Sequence, residues 1–542
     1  MSTGTMSRPG RGAVRRSDGF GQLLHSEWIK FRTVRGWVIG MIVAAILTIL
    51  LGVFAAGGGG ISCQQPGRPP QTGKACLPYV PHGPGGEVVT DSFNFARQPL
   101  TGNGTITARL IALTGKHVDL SSPGGTEAGS GPGLVPGLAP WSKAGLVIKQ
   151  SLHQGSAYAA MTVTGGHGVR MQWNYTGDTA GLPGRVTGTS PRWLRLTRAG
   201  DVITGYDSAD GSHWTKVGTV HLAGLPATVQ VGLFATSPNY SVTSQSFGGS
   251  SERGGPSEAT GVFDHVRLSG AAASGRWSET AIGSGGPAAL GPVSRATGFS
   301  QAHGIYTLTG SGDIAPVVPG PGSMLPTATV EQSLSGAFLG LIAIVVVATM
   351  FFTAEYRRGL IRTTFAATPH RGQVLAAKAV VGGAVAFVTG LVASVIAIAI
   401  GVPLETSQGQ VVLPVSALTE ARVVIGTAAL LAVAAVLAVA LGGALRRSAA
   451  AVTLAIVTVV LPFLLTALKL FPPAIGSWLL RVTPAAGLAI QQSIPRYPQV
   501  ATTNSPAGGY YPLPPFAGFA VLCCWAAAAL ALAYFLMRRR DV

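Results

Sequence analysis

Charge is what this 542-residue chain lacks: Asp, Glu, Lys and Arg make up 11% of it, against about 25% in an average soluble domain. Apolar types reach 47%, so a large share of the residues suits lipid, and a single soluble domain is excluded. Acids are scarcer than bases, 20 against 38, which leaves a formal charge of +18. The bases flank apolar runs and form no patch interleaved with aromatics, so the charge reads as membrane topology and excludes a nucleic-acid surface. Cysteine is also rare, with four in the chain. Cys63 and Cys76 follow the first apolar run and are candidates for a disulfide in an oxidising compartment. Cys523 and Cys524 fall inside the last run and read as small buried hydrophobes. The pattern G-x-x-x-x-G-K-[ST] is absent, since neither Gly73-Lys74 nor Gly115-Lys116 fits it. No cofactor, metal or ATPase site is expected on this chain.

What is present is six runs of about 20 apolar residues, the length needed to cross a bilayer: 37–56, 334–352, 374–401, 423–445, 449–468 and 516–537. The first is too long for a signal-peptide core and lacks a small-residue cleavage site, so it reads as a retained anchor. Arg15, Arg16, Lys30, Arg32 and Arg35 precede it, Arg357, Arg358, Arg362 and Arg371 lie between the second and third runs, Arg446 and Arg447 between the fourth and fifth, and Arg538, Arg539 and Arg540 after the sixth. Short basic segments stay on the cytoplasmic side, so both termini are expected inside, in the plasma membrane, with the long segment 57–331 outside. Almost no charge lies within the runs, which argues against an ion or proton relay. Gly36-x-x-x-Gly40 and Gly336-x-x-x-Gly340 are candidates for close helix contact. The segment 471–494 has the spacing of a short helix at the outer surface.

The outer segment divides into a Gly- and Pro-rich linker 57–87, a folded unit 88–308 and a second linker 309–333. Runs such as AGLVIKQS, SAYAAMTVT, GVRMQWNY, RWLRLTR, DVITGYDS, HWTKVGTV and ATVQVGLFA are short and carry apolar residues at every second position, the pattern of an antiparallel β-sandwich. Asp210-Gly211 fits a tight hairpin turn. The pieces WSKAGLVIKQ, SPRWLRLTRAGDVITGYDSADGSHWTKVG and VQVGLFATS resemble concanavalin-like jelly-roll domains of the laminin-G and glycanase-associated kind, over about residues 91–269. That resemblance implies a glycan-binding or catalytic module. Glycoside hydrolysis needs two facing carboxylates, and no such pair is evident; Asp207 and Asp210 read first as turn residues. Candidate ligand-binding residues are Trp141, Trp193, Asp207, Asp210 and Trp214, with strand-borne Trp reading first as core.

On the inner side, GQLLHSEWIKFRTVRGW places Leu23, Leu24, Trp28 and Phe31 at the spacing of an amphipathic interfacial helix within 1–36. The loop 353–373 carries far more polar residues than a reversal of direction needs, and reads as a docking surface for a cytoplasmic partner. A Ser-Glu-Trp-x-Lys-x-Arg-Thr elbow, six spans and a Glu-Tyr-x-x-Gly-x-x-Arg-Thr-Thr loop resemble permease subunits of the type-2 ABC transporters. The resemblance covers about 22–56 and 334–540 and departs from that family in the long outer insert. It implies an elbow helix containing Glu27, Trp28, Lys30, Arg32 and Thr33. It also implies an ATPase-coupling loop containing Glu355, Tyr356, Arg357, Gly359, Arg362, Thr363 and Thr364, with Pro369, Arg371 and Lys378 leading into the third span. The implied partners are a separate ABC ATPase that hydrolyses the ATP and a second permease copy. The expected fold is thus a polytopic α-helical membrane domain with an inserted all-β extracellular domain. The competing readings are a membrane-anchored carbohydrate receptor or adhesin, for which one span suffices, and a tethered glycosidase.

Overall fold

The computed structural model describes residues 19–60, 62–63, 71–76, 79–120, 133–246, 249–270, 276–283, 297–319, 325–357, 359, 370–468, 470–500 and 506–539. Helix α1, Phe20–Thr33, turns at the extended Val34 into α2, Arg35–Gly57. After the β-rich insert come α3 (Ala337–Arg357), α4 (Arg371–Ser407), α5 (Ala417–Leu445), α6 (Ser448–Val459), α7 (Leu461–Ala467), α8 (Pro473–Val482) and α9 (Pro515–Arg539). Among the described residues six segments are long and apolar enough to cross a membrane. The fifth is broken into α6 and α7 at Val460, next to Pro462, which has no N–H to continue the ladder. Most of the apolar stretch of α5 is buried, 67% of it against 22% in α2 and in α9, so α5 is the central post of the bundle.

Small residues set the closest approaches. A Cβ on Gly336 would stand 2.1 Å from the Thr48 carbonyl oxygen, and one on Gly340 2.1 Å from the Thr48 hydroxyl, so this pair lets α2 and α3 touch. Gly36 has open space around it, and Gly40 meets the Val347 side chain. Gly336→Val is therefore expected to lower stability by about 1–3 kcal/mol through overpacking. The check is a thermal melt in detergent; an unchanged midpoint would remove the contact.

Two antiparallel sheets form the insert. One has seven strands, in the order Gly177–Ala180, Val169–Trp173, Tyr158–Thr164, Lys143–Lys149, Thr228–Thr236, Phe93–Thr101, Ser278–Ile282. The other has eight, running Thr215–His221, Val202–Ser208, Arg192–Ala199, Gly104–Val118, Ser257–Gly270, Ile305–Gly310, Thr297–Ala302, with Leu134–Pro136 beside Gly104–Val118. Their facing sides bury Leu146, Met161, Met171, Leu194, Leu196, Ile203, Leu233 and Phe263, as a sandwich requires. The seven-stranded sheet departs from the alternation the sequence suggests, because its second face is covered too: Phe93, Val147, Tyr158, Tyr175, Phe234 and Ile314 form another apolar cluster there. The segment 309–333 is likewise more than a linker, since Ile314–Pro316 pairs with Val89–Asp91. In 57–87, Ser62–Cys63 pairs with Gln71–Thr72, and Cys76 is bonded in a disulfide; the Cys63 side chain lies outside the described residues.

Sandwich and bundle meet directly. Val88 and Val317 pack with Val411, Leu413, Ile494 and Tyr510, Thr327–Ala328 pairs in parallel with Val411–Val412, and Gln499 donates to the carbonyls of Tyr175 and Thr176 at 3.2 and 3.1 Å.

Candidate functional site

At the bundle end away from the sandwich, four charged groups converge. The 3.6-residue period of α1 puts Glu27 and Phe31 on one face, and both are buried against the bundle. Lys378 of α4 is wholly enclosed. A buried ammonium is costly unless paired, and Lys378 Nζ donates to Glu27 Oε2 at 2.7 Å and Glu355 Oε1 at 2.8 Å, with the Phe351 ring centre 4.6 Å away. Lys30 Nζ donates to Glu27 Oε1 at 2.5 Å and Glu355 Oε1 at 3.3 Å. Two carboxylates and two ammoniums thus balance, tying α1 to α3 and α4. Burial pulls the Lys30 pKa down, but the hydrogen bond and charge of Glu27 outweigh it, and the net shift is upward. Phe31, Trp37 and Phe351 close the knot on one side, with ring centres 5.0–6.0 Å apart.

This arrangement sorts the elbow residues and corrects one expectation. Glu27 is on the buried face of the elbow, whereas Trp28 and Arg32 are exposed; a charge with a buried partner need not face water. Glu355, expected on a docking surface, is 7% exposed and belongs to the knot. Thr33 caps its own helix by donating to the Ile29 carbonyl at 2.9 Å. Beyond Glu355, α3 ends at Arg357, and Gly359, with a left-handed φ of +69 and its N–H on the Tyr356 carbonyl at 3.2 Å, suits a glycine stop just after it. The Arg446 guanidinium lies 5.4 Å from the Tyr356 ring centre, and Arg371 donates to the Met537 carbonyl at 2.7 Å. The Arg357 side chain, Arg362, Thr363, Thr364 and Pro369 lie outside the described residues.

At the sandwich end, sequence reasoning missed a polar group set in the helix ends. The span expected to stop at 401 continues as α4 to Ser407 and buries Glu405, which accepts from the Ser333 hydroxyl at 3.1 Å. Glu331 accepts from the Ser493 hydroxyl, and Arg422 donates to the Gln492 carbonyl at 2.7 Å. The available signal was a Glu directly after an apolar run with no neighbouring base. Gln492 and Ser493 follow a 3-10 helix, Pro484–Gln491, that is buried from Pro484 to Ile490. The segment after the fifth span therefore runs back into the bundle, beyond the surface helix its spacing suggested.

The sandwich candidates do not converge. Trp141 is 6% exposed and stacks on His167 at 4.0 Å. Trp193 has Gly211 against one face, where a Cβ would come within 2.6 Å, and lies beneath Arg109 at 5.5 Å. Arg195 covers the Trp214 ring at 3.7 Å. None of the three offers a bare ring for a sugar to stack on. Asp207 is buried and accepts from the Leu182 N–H at 2.6 Å; burial pushes its pKa up. Asp210 organises the turn, accepting from the Ser212 and His213 N–H groups at 2.8 Å each. The bond from the His213 ring holds its carboxyl far below the usual range. That turn spans 209–214, longer than a two-residue hairpin. Among the described residues no group of His, Cys, Asp and Glu is placed to hold a metal.

A family model described as ABC-2 family transporter protein matches residues 222–542, more than half of the chain. No curated protein matches it. Among solved structures, the chain is similar to a functionally unknown protein from Saccharomyces cerevisiae, at 18% identity over 35% of this chain and 81% of that one, with a TM-score of 0.21. It is also similar to the GH43 BlXynB protein from Bacillus licheniformis, at 13% identity over 26% and 29%, TM-score 0.17. Scytalido-glutamic peptidase with a peptide-based transition state analog gives 9% identity over 42% and 100%, TM-score 0.22. Likenesses this distant carry no argument about function.

Proposed function

This chain belongs to the ABC-2 family of transporter proteins, and on that premise we propose that it is the permease subunit of an ATP-driven export system, worked by a separate ABC ATPase that docks on the loop 353–373. The supporting observation is the knot of Glu27, Lys30, Glu355 and Lys378, which joins the elbow helix to the two spans flanking that loop. A push delivered to the loop reaches α1, α3 and α4 together, because separating any one of them leaves a buried charge unpaired. ATP is hydrolysed by the partner, and a second permease copy completes the path. Both termini face the cytoplasm and the sandwich faces outward, where it acts as a binding module for a glycan, without glycosidase activity.

The test places a reversed charge in the loop and leaves the knot intact. Arg362→Glu is expected to abolish copurification of the ATPase and its stimulation, with the permease melting as wild type does. An unchanged complex would remove the docking assignment. Glu355 is unsuitable for this purpose, since reversing it breaks the fold's own ion pairs.

A further inference from the structure

The sheet register places a row of cations across the outward face of the eight-stranded sheet. Lys216 pairs with Tyr206, Tyr206 with Arg195, Arg195 with Thr107, and Thr107 with Arg267, so five neighbouring strands contribute one residue each. Neighbouring strands are about 4.8 Å apart, which spaces the three cations by about 10 Å. Their flanking inward residues, Leu194, Leu196, Ile106 and Ala108, are buried in the core, which fixes this row on the other side.

The row is electrostatically open. The neighbouring Asp264 is already held by Arg109, whose Nε donates to it at 2.7 Å, and Glu258 by Lys116 at 3.1 Å. Lys216 and Arg267 are exposed and have no ion-pair partner among the described residues. Arg195 is held flat on Trp214 at 3.7 Å and donates through Nε to the Thr107 hydroxyl at 3.2 Å; its terminal nitrogens make no hydrogen bond among the described residues. A guanidinium fixed in this way loses little freedom on meeting a carboxylate.

We propose that this face binds an acidic linear polysaccharide, the Arg195 guanidinium forming the central contact and Lys216 and Arg267 the flanking ones. The inference rests on the reading of the sandwich as a glycan-binding module and names its ligand class and site. A neutral glycan lacks the charge the row complements and finds the Trp rings covered. A lipid surface fits less well, because the surroundings are hydroxyls: Thr105 bonds Thr197 and Thr204 bonds Thr219, each at 3.2 Å, and the row's one aromatic, Tyr206, is half-buried between Lys216 and Arg195. A line of cations across a flat sheet suits an extended chain bearing repeated carboxylates.

The test is binding of the full chain in detergent to polygalacturonate, to dextran and to phosphatidylglycerol vesicles. Polygalacturonate is expected to bind with an affinity that falls with salt, and dextran to show no binding. Arg195→Glu with Lys216→Glu is expected to weaken polygalacturonate binding by at least about tenfold, as the loss of two charge-assisted contacts implies, without changing the melt. Arg195→Lys, which keeps charge and loses the stacked fork, should fall between. Binding of dextran and polygalacturonate alike overturns this inference and leaves the glycan-module reading standing. Binding of neither polysaccharide removes both. Undiminished binding by the double variant moves the site elsewhere and overturns the proposal, as does vesicle binding that the double variant abolishes.

Discussion

Replacing Lys378 with Met is expected to destabilise the membrane domain by about 3–5 kcal/mol, the loss typical when one partner is removed from a buried ion pair. Glu27 and Lys378 have no solvent access at all, and Glu355 is 9% exposed at its side chain. Without the ammonium, two carboxylates share one remaining cation, Lys30, which is 40% exposed and partly hydrated. Lys30→Met should cost far less, about 0–1 kcal/mol, because its charge is largely solvated already. The triple variant Glu27→Gln, Glu355→Gln, Lys378→Met removes the charges together and should recover most of the stability. Thermal melts of the four proteins in one detergent decide the matter. Equal midpoints for Lys378→Met and Lys30→Met would refute the buried knot. A triple variant that melts like wild type but no longer stimulates the ATPase would assign the charges to coupling beyond their part in stability.

The six spans were legible in the sequence because a run of apolar residues long enough to cross a bilayer is a one-dimensional signal. The sandwich was legible for a similar reason, since period-two alternation survives in strands such as Arg192–Ala199, where Leu194 and Leu196 point inward and Trp193 and Arg195 outward. What failed depended on partners distant in sequence. The burial of Glu27 could not be read from its own helix, because its ammonium, Lys378, lies 351 residues later. The same holds for Lys143 and Lys149: every residue of Lys143–Lys149 is buried, because Asp313 and Asp91 arrive to neutralise them. Whether the Trp rings were open to a ligand was hidden for a related reason: ring access depends on cross-strand neighbours, and Arg195 covers Trp214 from two strands away. The break at Pro462, by contrast, was visible and was subsumed in an otherwise continuous apolar run.

Asp91→Ala is expected to cost a further 3–5 kcal/mol or so, confined to the sandwich. Its Oδ2 accepts from Lys149 Nζ at 2.7 Å, the Tyr175 hydroxyl at 2.7 Å and the Gly155 N–H at 2.8 Å. Lys149 is enclosed, and burial already lowers its pKa more than Asp91 raises it. Removing Asp91 leaves only the lowering influence. In the unfolded chain that ammonium stays protonated up to about pH 10.4. Between the depressed folded value and that pH, the unfolded state binds more protons, so the stability of the variant must rise with pH across this window. Lys149→Met combined with Asp91→Ala should remove both the pH slope and much of the loss. The full chain is the right material, because Tyr175 also carries the carbonyl that Gln499 of the bundle holds. Protease susceptibility of the insert and its melt, followed from neutral to alkaline pH, read the result. A variant as resistant as wild type, or one whose stability falls as pH rises, would show that Asp91 and Lys149 do not anchor the insert.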